Sequence, residues 1–138
     1  MSYKILEHVT DAFIEVTASD LNEAFIIAAN SVVELTLDRD KVKEVEKKII
    51  TVKGRDLRYL LLNWLESIIF MLITEGFAIK RIQLDLQKND DYNIFAKVYG
   101  EPIDLKKHNF KVEIKAPTFH EMSILEGKEI KMKFLLDL

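Results

Sequence analysis

An α+β domain is the fold class this 138-residue sequence predicts. Two helices should pack on a largely antiparallel or mixed β-sheet, in a single compact domain over residues 1–138. Three observations predict it. Two segments carry apolar residues at helical spacing, and several others alternate apolar and polar residues with a period of two. No repeat, low-complexity stretch or linker divides the chain, and the length fits one domain with one core.

The elements follow in order. A short strand is expected near residues 3–8. Ala12, Ile14, Val16 and Ala18 then alternate with Asp11, Phe13, Glu15 and Thr17 as a second strand. Ser19 or Asp20 can cap a helix running to about Leu37, with Leu21, Ala24, Phe25, Ala28, Val32 and Leu35 on one stripe. The mixed charges from Asp38 to Lys48 mark a solvated connector. A short strand is expected near residues 48–53. The second helix begins at Asp56 and runs to about Glu75, where Gly76 is placed to end it. Its apolar residues, Phe70 among them, cover most of its circumference, as in a helix buried on most sides. Ile82, Leu84 and Leu86, a turn at Asn89-Asp90-Asp91, then Ile94, Ala96 and Val98 predict a hairpin. Phe110, Val112, Ile114 and Ala116 alternate as a further strand. A short strand is expected over 118–125, and Ile130, Met132, Phe134 and Leu136 form the last.

Composition narrows the function classes. Hydrophobic residues make up 49% and charged residues 31%, a balance that suits a folded domain rather than a disordered one. Net charge is −3, so no global basic field attracts nucleic acid. With no cysteine there is no disulfide, thiolate ligand or thiol nucleophile. The start, Met1-Ser2-Tyr3-Lys4, lacks a signal-peptide pattern. The apolar run from Tyr59 to Ile73 contains Asn63, Glu66 and Ser67, and it is shorter than the roughly 20 residues a bilayer needs. A cytoplasmic protein without membrane contact is the expectation. No Walker A loop, GxGxxG, GxSxG, HExxH or RNP-like aromatic pattern is present.

Candidate chemistry lies in two places. Asp11 and Asp137 sit in the polar phase of the second and the last strand. If these strands pair antiparallel, two carboxylates meet at one sheet edge, close to the C-terminal carboxylate of Leu138. Clustered carboxylates need a cation, a shared proton or good solvation. Oxygen-only ligands favour calcium or magnesium, with manganese as an alternative. The bland alternative is a turn aspartate and a solvated terminal one. The second place is the stretch from Gly100 to His120, which gathers both prolines and two of the three histidines. Thr118 and His120 would share a strand face after Pro117. Proline removes a ladder donor, so an edge or bulge is expected there. Lys115, just before it, could meet a phosphate or an acidic partner. A lone histidine is more often a hydrogen-bonded structural residue, and a surface lysine is usually only solvated.

The order of several segments resembles the archease family. They are Glu7-His8-Val9-Thr10-Asp11; Leu60-Leu61-Leu62-Asn63-Trp64-Leu65 leading to Thr74-Glu75-Gly76-Phe77; Gly100-Glu101 with Asp104 and His108; Lys115-Ala116-Pro117-Thr118-Phe119-His120; and Phe134-Leu135-Leu136-Asp137-Leu138. Within them, Pro117 replaces a commonly β-branched residue and Phe119 a common tyrosine. The resemblance implies a small non-catalytic partner of an RtcB-type RNA ligase, which seals tRNA exon halves. It would promote ligase guanylylation and multiple turnover, meeting tRNA only through the ligase. It also implies a divalent ion, commonly calcium, held by Asp11, Asp137 and Leu138. Lys115 is expected to contact the partner, and His8, Glu101 and His120 in the matching segments are further functional candidates. Two rivals stand beside this reading. One is a chaperone-like or scaffolding module binding through a strand edge without metal. The other is a small metal-dependent phosphoesterase with His120 as base.

Overall fold

Two antiparallel sheets enclose a pair of helices in the computed structural model, which describes residues 1–6 and 11–138. In chain order the elements are β1 (Ser2–Leu6), β2 (Asp11–Ala18), α1 (Leu21–Thr36), β3 (Glu46–Gly54), α2 (Leu57–Ile69), β4 (Phe77–Lys88), β5 (Tyr92–Pro102), β6 (Ala116–Glu126) and β7 (Ile130–Asp137). One sheet has the order β1-β2-β7-β6, the other β3-β5-β4. Each helix packs against strands of both sheets: α1 touches β2 and β4, while α2 touches β6 and β3. The helices are therefore the middle layer, and each sheet turns one face to them and one to solvent.

Alternation explains the sheets. Ala12, Ile14, Val16 and Ala18 of β2 lie opposite Leu136, Phe134, Met132 and Ile130 of β7, and all eight are buried. On the other sheet Ile82, Ala96 and Val98 face inward. Asp20 caps α1 by accepting from the Glu23 N–H at 2.8 Å, and Asp56 caps α2 by accepting from the Tyr59 N–H at 2.9 Å. Each cap contributes about 1 kcal/mol. Leu60, Leu61, Trp64, Leu65 and Ile68 of α2 are fully buried. Each such side chain contributes about 1.5–3 kcal/mol from burial. The Trp64 indole N–H donates to the Phe25 carbonyl at 2.9 Å, tying α2 to α1 inside the core. The helical stretch Leu57–Thr74 is long and apolar enough to cross a membrane by length and composition, but here its apolar side chains fill this core.

Three sequence expectations need correction. The last turn of the second helix is a π-helix, Phe70–Thr74, in which the Glu75 N–H reaches the Phe70 carbonyl at 3.0 Å. The wider turn changes the angular spacing of the apolar residues, and Phe70 stands 55% exposed instead of joining the buried surface. Gly76, at φ +62°, ends the segment in the left-handed region that glycine adopts without strain. The strand expected over Phe110–Ala116 does not form before Ala116. Its backbone is tied to distant elements instead: the Lys111 N–H donates to the Thr36 carbonyl at 2.7 Å, at the end of α1. Ile114 is buried, so the alternation there records burial without a ladder partner. Finally, the bulge foreseen near Pro117 begins just after it, between Thr118 and Ser123, and interrupts the strand phase that was to align Thr118 with His120.

The loop between β5 and β6 is pinned by a buried carboxylate. Glu101 accepts from the Lys43 N–H at 2.8 Å, from the Lys107 ammonium at 2.9 and 3.0 Å, and lies 3.0 Å from His108 Nε2. His108 is fully buried, and its Nδ1 accepts from the Asp104 N–H at 2.9 Å. That bond leaves Nε2 as the protonated nitrogen, donating to Glu101. Hydrogen bonds from His108, then Lys107 and the Lys43 amide, hold the Glu101 carboxyl down at about 2. Gly100, next to it, crosses so close to β4 that a Cβ would sit 1.8 Å from the Ala78 carbonyl oxygen.

Two predictions follow from these contacts. A folded-state pKa lower than the unfolded one gives stability that is complete above the ordinary value of 4.5 and disappears as pH falls toward about 2. The melting temperature of the parent should fall across that window, and Glu101→Gln should flatten that part of the curve in acid-titrated calorimetry. Trp64→Ala should lower stability by about 3–5 kcal/mol in urea unfolding, because it opens a cavity and removes the bond to the Phe25 carbonyl.

Candidate functional site

Strand register brings the two ends of the chain together. Asp11 of β2 is the ladder partner of Asp137 of β7, and Asp137 is also the partner of Ala116 of β6. The next rung, Ala12, Leu136 and Pro117, is buried against the helices, so the rung of Asp11, Asp137 and Ala116 faces outward at the end of the sheet. Directly opposed residues hold their Cβ atoms about 4.5–5.5 Å apart, and like charges so placed repel. The juxtaposition expected from the sequence is therefore present.

The neighbouring rungs differ in charge balance. The next outward one runs Leu6, Phe13, Leu135 and Thr118 across all four strands, with Leu135 only 4% exposed. Beyond it, Glu15 lies between Lys4 at 3.2 Å and Lys133 at 3.6 Å, and the Lys4 ammonium holds its carboxyl below the usual range. One rung sets an acid between two lysines, while the terminal rung sets Asp11 opposite Asp137.

The remaining candidates are distributed unevenly around this edge. Lys115 precedes β6 and is exposed, and its N–H donates to the Asp137 carbonyl at 2.8 Å. Leu138 follows Asp137 directly and is partly exposed. His8 lies outside the described residues. Glu101 is not part of this edge: its partners are Lys43, Lys107 and His108, and its role in the structure is to pin a loop. His120 projects from the bulge with its side chain 73% exposed, 3.8 Å from the Glu121 carboxylate.

The bulge is the feature sequence reading missed in detail. Thr118 pairs with Leu135 and Ser123 with Lys133, so the four residues 119–122 stand opposite Phe134 alone. Glu121 takes a left-handed φ of 57°, uncommon for a residue other than glycine. The His120 N–H donates to the Thr118 hydroxyl at 3.1 Å. Phe119 packs edge-on against Tyr59 at 4.8 Å, Arg58 lies over Phe119 at 5.5 Å, and Arg55 over Tyr59 at 4.0 Å. The start of α2 thus braces the bulge beside the acidic edge. The signal that could have located it is the run Phe119-His120-Glu121-Met122, which breaks the alternation on either side.

As a cation site, the edge offers part of a coordination shell. Among the described residues no group of three or more histidines, cysteines, aspartates and glutamates is positioned to hold a metal. Asp11 and Asp137 supply two carboxylates on one face, a donor set that suits a hard cation whose other ligands are main-chain oxygens, water or a partner.

Comparison with known proteins is consistent along the whole chain. The profile of the Archease protein family (MTH1598/TM1083) matches residues 3–138. The protein archease of Pyrobaculum islandicum is 44% identical over 126 residues, covering 90% of this chain and 86% of that one. The protein archease of Pyrobaculum neutrophilum is 34% identical over 139 residues, covering 99% and 95%. The solution structure of Methanobacterium thermoautotrophicum protein 1598 superposes with a TM-score of 0.82 at 28% identity, covering 99% of both chains. By sequence and by fold, the chain belongs to the archease family.

Proposed function

We propose that this archease is a non-catalytic cytoplasmic accessory protein that activates an RtcB-type RNA ligase. It would promote guanylylation of the ligase and its multiple turnover, with tRNA held by the ligase. The observation that carries the reading is the ladder pairing of Asp11 with Asp137 on an outward-facing edge, at the positions the family resemblance assigns to a divalent ion. Two opposed carboxylates are costly unless something cationic offsets them. Calcium is the first choice, with magnesium or manganese as alternatives.

In this reading Asp11 and Asp137 hold the ion, and the main-chain oxygens of Leu138 complete the protein's share of the shell. The ion would supply positive charge between the two carboxylates. Lys115 is tied to the same rung through its backbone, and in this reading its side chain would meet an anionic group on the ligase. His120, on the braced bulge, would extend the contact surface. A scaffolding module acting through a strand edge has support in β6, an edge strand carrying Pro117, but it gives the paired acids no task.

The decisive assay measures nucleotidylated ligase formed per unit time with catalytic amounts of this protein. Asp11→Ala and Asp137→Ala should each abolish stimulation while leaving the melting temperature near that of the parent. Exhaustive chelation should do the same, and calcium should restore the effect. Variants that stimulate as well as the parent would remove the site assignment, and stimulation that survives chelation would favour the scaffolding reading.

A further inference from the structure

The solvent face of the three-stranded sheet is unlike that of the four-stranded one. On β5, the central strand, Phe95, Lys97 and Tyr99 point outward together. Lys47 and Lys53 of β3 and Arg81 of β4 share that face, because their register partners are Tyr99, Asn93 and Tyr99. Among the described residues the outward phase of these strands carries these four cations against two carboxylates, Asp85 and Glu101, and Glu101 is already paired with Lys107. Arg81 is already neutralised by Glu44, at 2.9 and 3.0 Å. Lys47, Lys53 and Lys97 make no ion pair among the described residues. On a chain of net charge −3 this is a local basic surface.

The face is also aromatic and open. Phe95 is 48% exposed and Ile49, opposite Lys97, 54%. A shallow depression of about 560 Å³, lined in part by Lys53, Asn93 and Phe95, adjoins the ring. The Arg81 guanidinium lies 4.1 Å over the Tyr99 ring, and such a plane itself accepts a stacked base. Phe95 and Tyr99 are four strand positions apart, or about 13 Å. That spacing leaves room for bases at both ends and for the backbone across Lys97.

We infer that this face binds single-stranded RNA, through base stacking on Phe95 and on the Arg81–Tyr99 pair and through phosphate contacts from Lys47, Lys53 and Lys97. Exposed rings interleaved with unpaired cations on an open sheet are what sequence-tolerant single-strand binding requires. That the strand is RNA rather than DNA rests on the ligase reading above. The face is built from other strands than the Asp11–Asp137 rung, so it would add a direct RNA contact to the hold of the ligase described above.

The test is fluorescence anisotropy with a labelled single-stranded RNA of about 12 nucleotides and the full chain, without ligase, starting at about 50 mM salt. Binding should weaken with salt at a logarithmic slope near −2, from about −0.7 for each of three phosphates. Phe95→Ala should weaken it roughly tenfold. Lys97→Glu should weaken it further, and Lys128→Glu, on the exposed turn between β6 and β7, should leave it unchanged. No binding, equal loss with Lys128→Glu, or indifference to Phe95→Ala would each overturn the inference. Phe95→Ala lowering ligase affinity while RNA binding is absent would identify the face as a protein contact and would also overturn it. A parent protein that stimulates the ligase but binds no RNA refutes this face alone, and a parent that binds RNA but does not stimulate refutes the activator reading alone.

Discussion

The pairing of β2 with β7 is the constraint on which the rest of the structure depends. It joins a strand beginning at residue 11 to one ending at residue 137, over eight ladder positions. Its inner face supplies a large part of the apolar wall against which α1 packs, through Ile14, Val16, Met132 and Phe134. Its register is fixed by that burial, since a slip of one residue would turn every inward side chain to water. The same register sets Asp11 beside Asp137. A fold requirement and a chemical feature therefore have one cause, and the acidic edge is as firmly placed as the core beneath it.

Most of the fold was legible in the sequence because its burial follows simple periods. Asp20 and Asp56 cap the helices where their sequence positions suggested, and the inward residues of β2 and β7 are the alternating ones. The failures have particular causes. Alternation from Phe110 to Ile114 reflects packing near the end of α1 and not a ladder, and periodicity alone cannot separate the two. The π turn at Phe70 depends on how the helix meets β4, a long-range matter. Around the site, the pairing of Asp11 with Asp137 could be anticipated from strand phase. The partners of Glu101 could not be read, because they come from Lys43, Lys107 and His108, joined only by the loop's folded path.

Two surfaces of opposite character result from one architecture. The helices occupy the interior between the sheets, so each sheet has a free outer face. At one end of the four-stranded sheet that face carries opposed acids, with a braced bulge nearby. On the three-stranded sheet it carries rings and lysines that make no ion pair among the described residues. The interior needs neither arrangement for its stability. Surface charge of this kind is free to serve recognition, and a whole-chain net charge of −3 does not reveal it.

The most direct test of the central claim, that strand register builds a cation site from the two ends of the chain, is a calcium titration followed by amide shifts in two-dimensional NMR. The account predicts saturable changes concentrated at Asp11, at Lys115 and Ala116, and from Leu136 to Leu138, with the amides of β3 and β5 undisturbed. An absence of saturable change, or changes concentrated away from this edge, would contradict it.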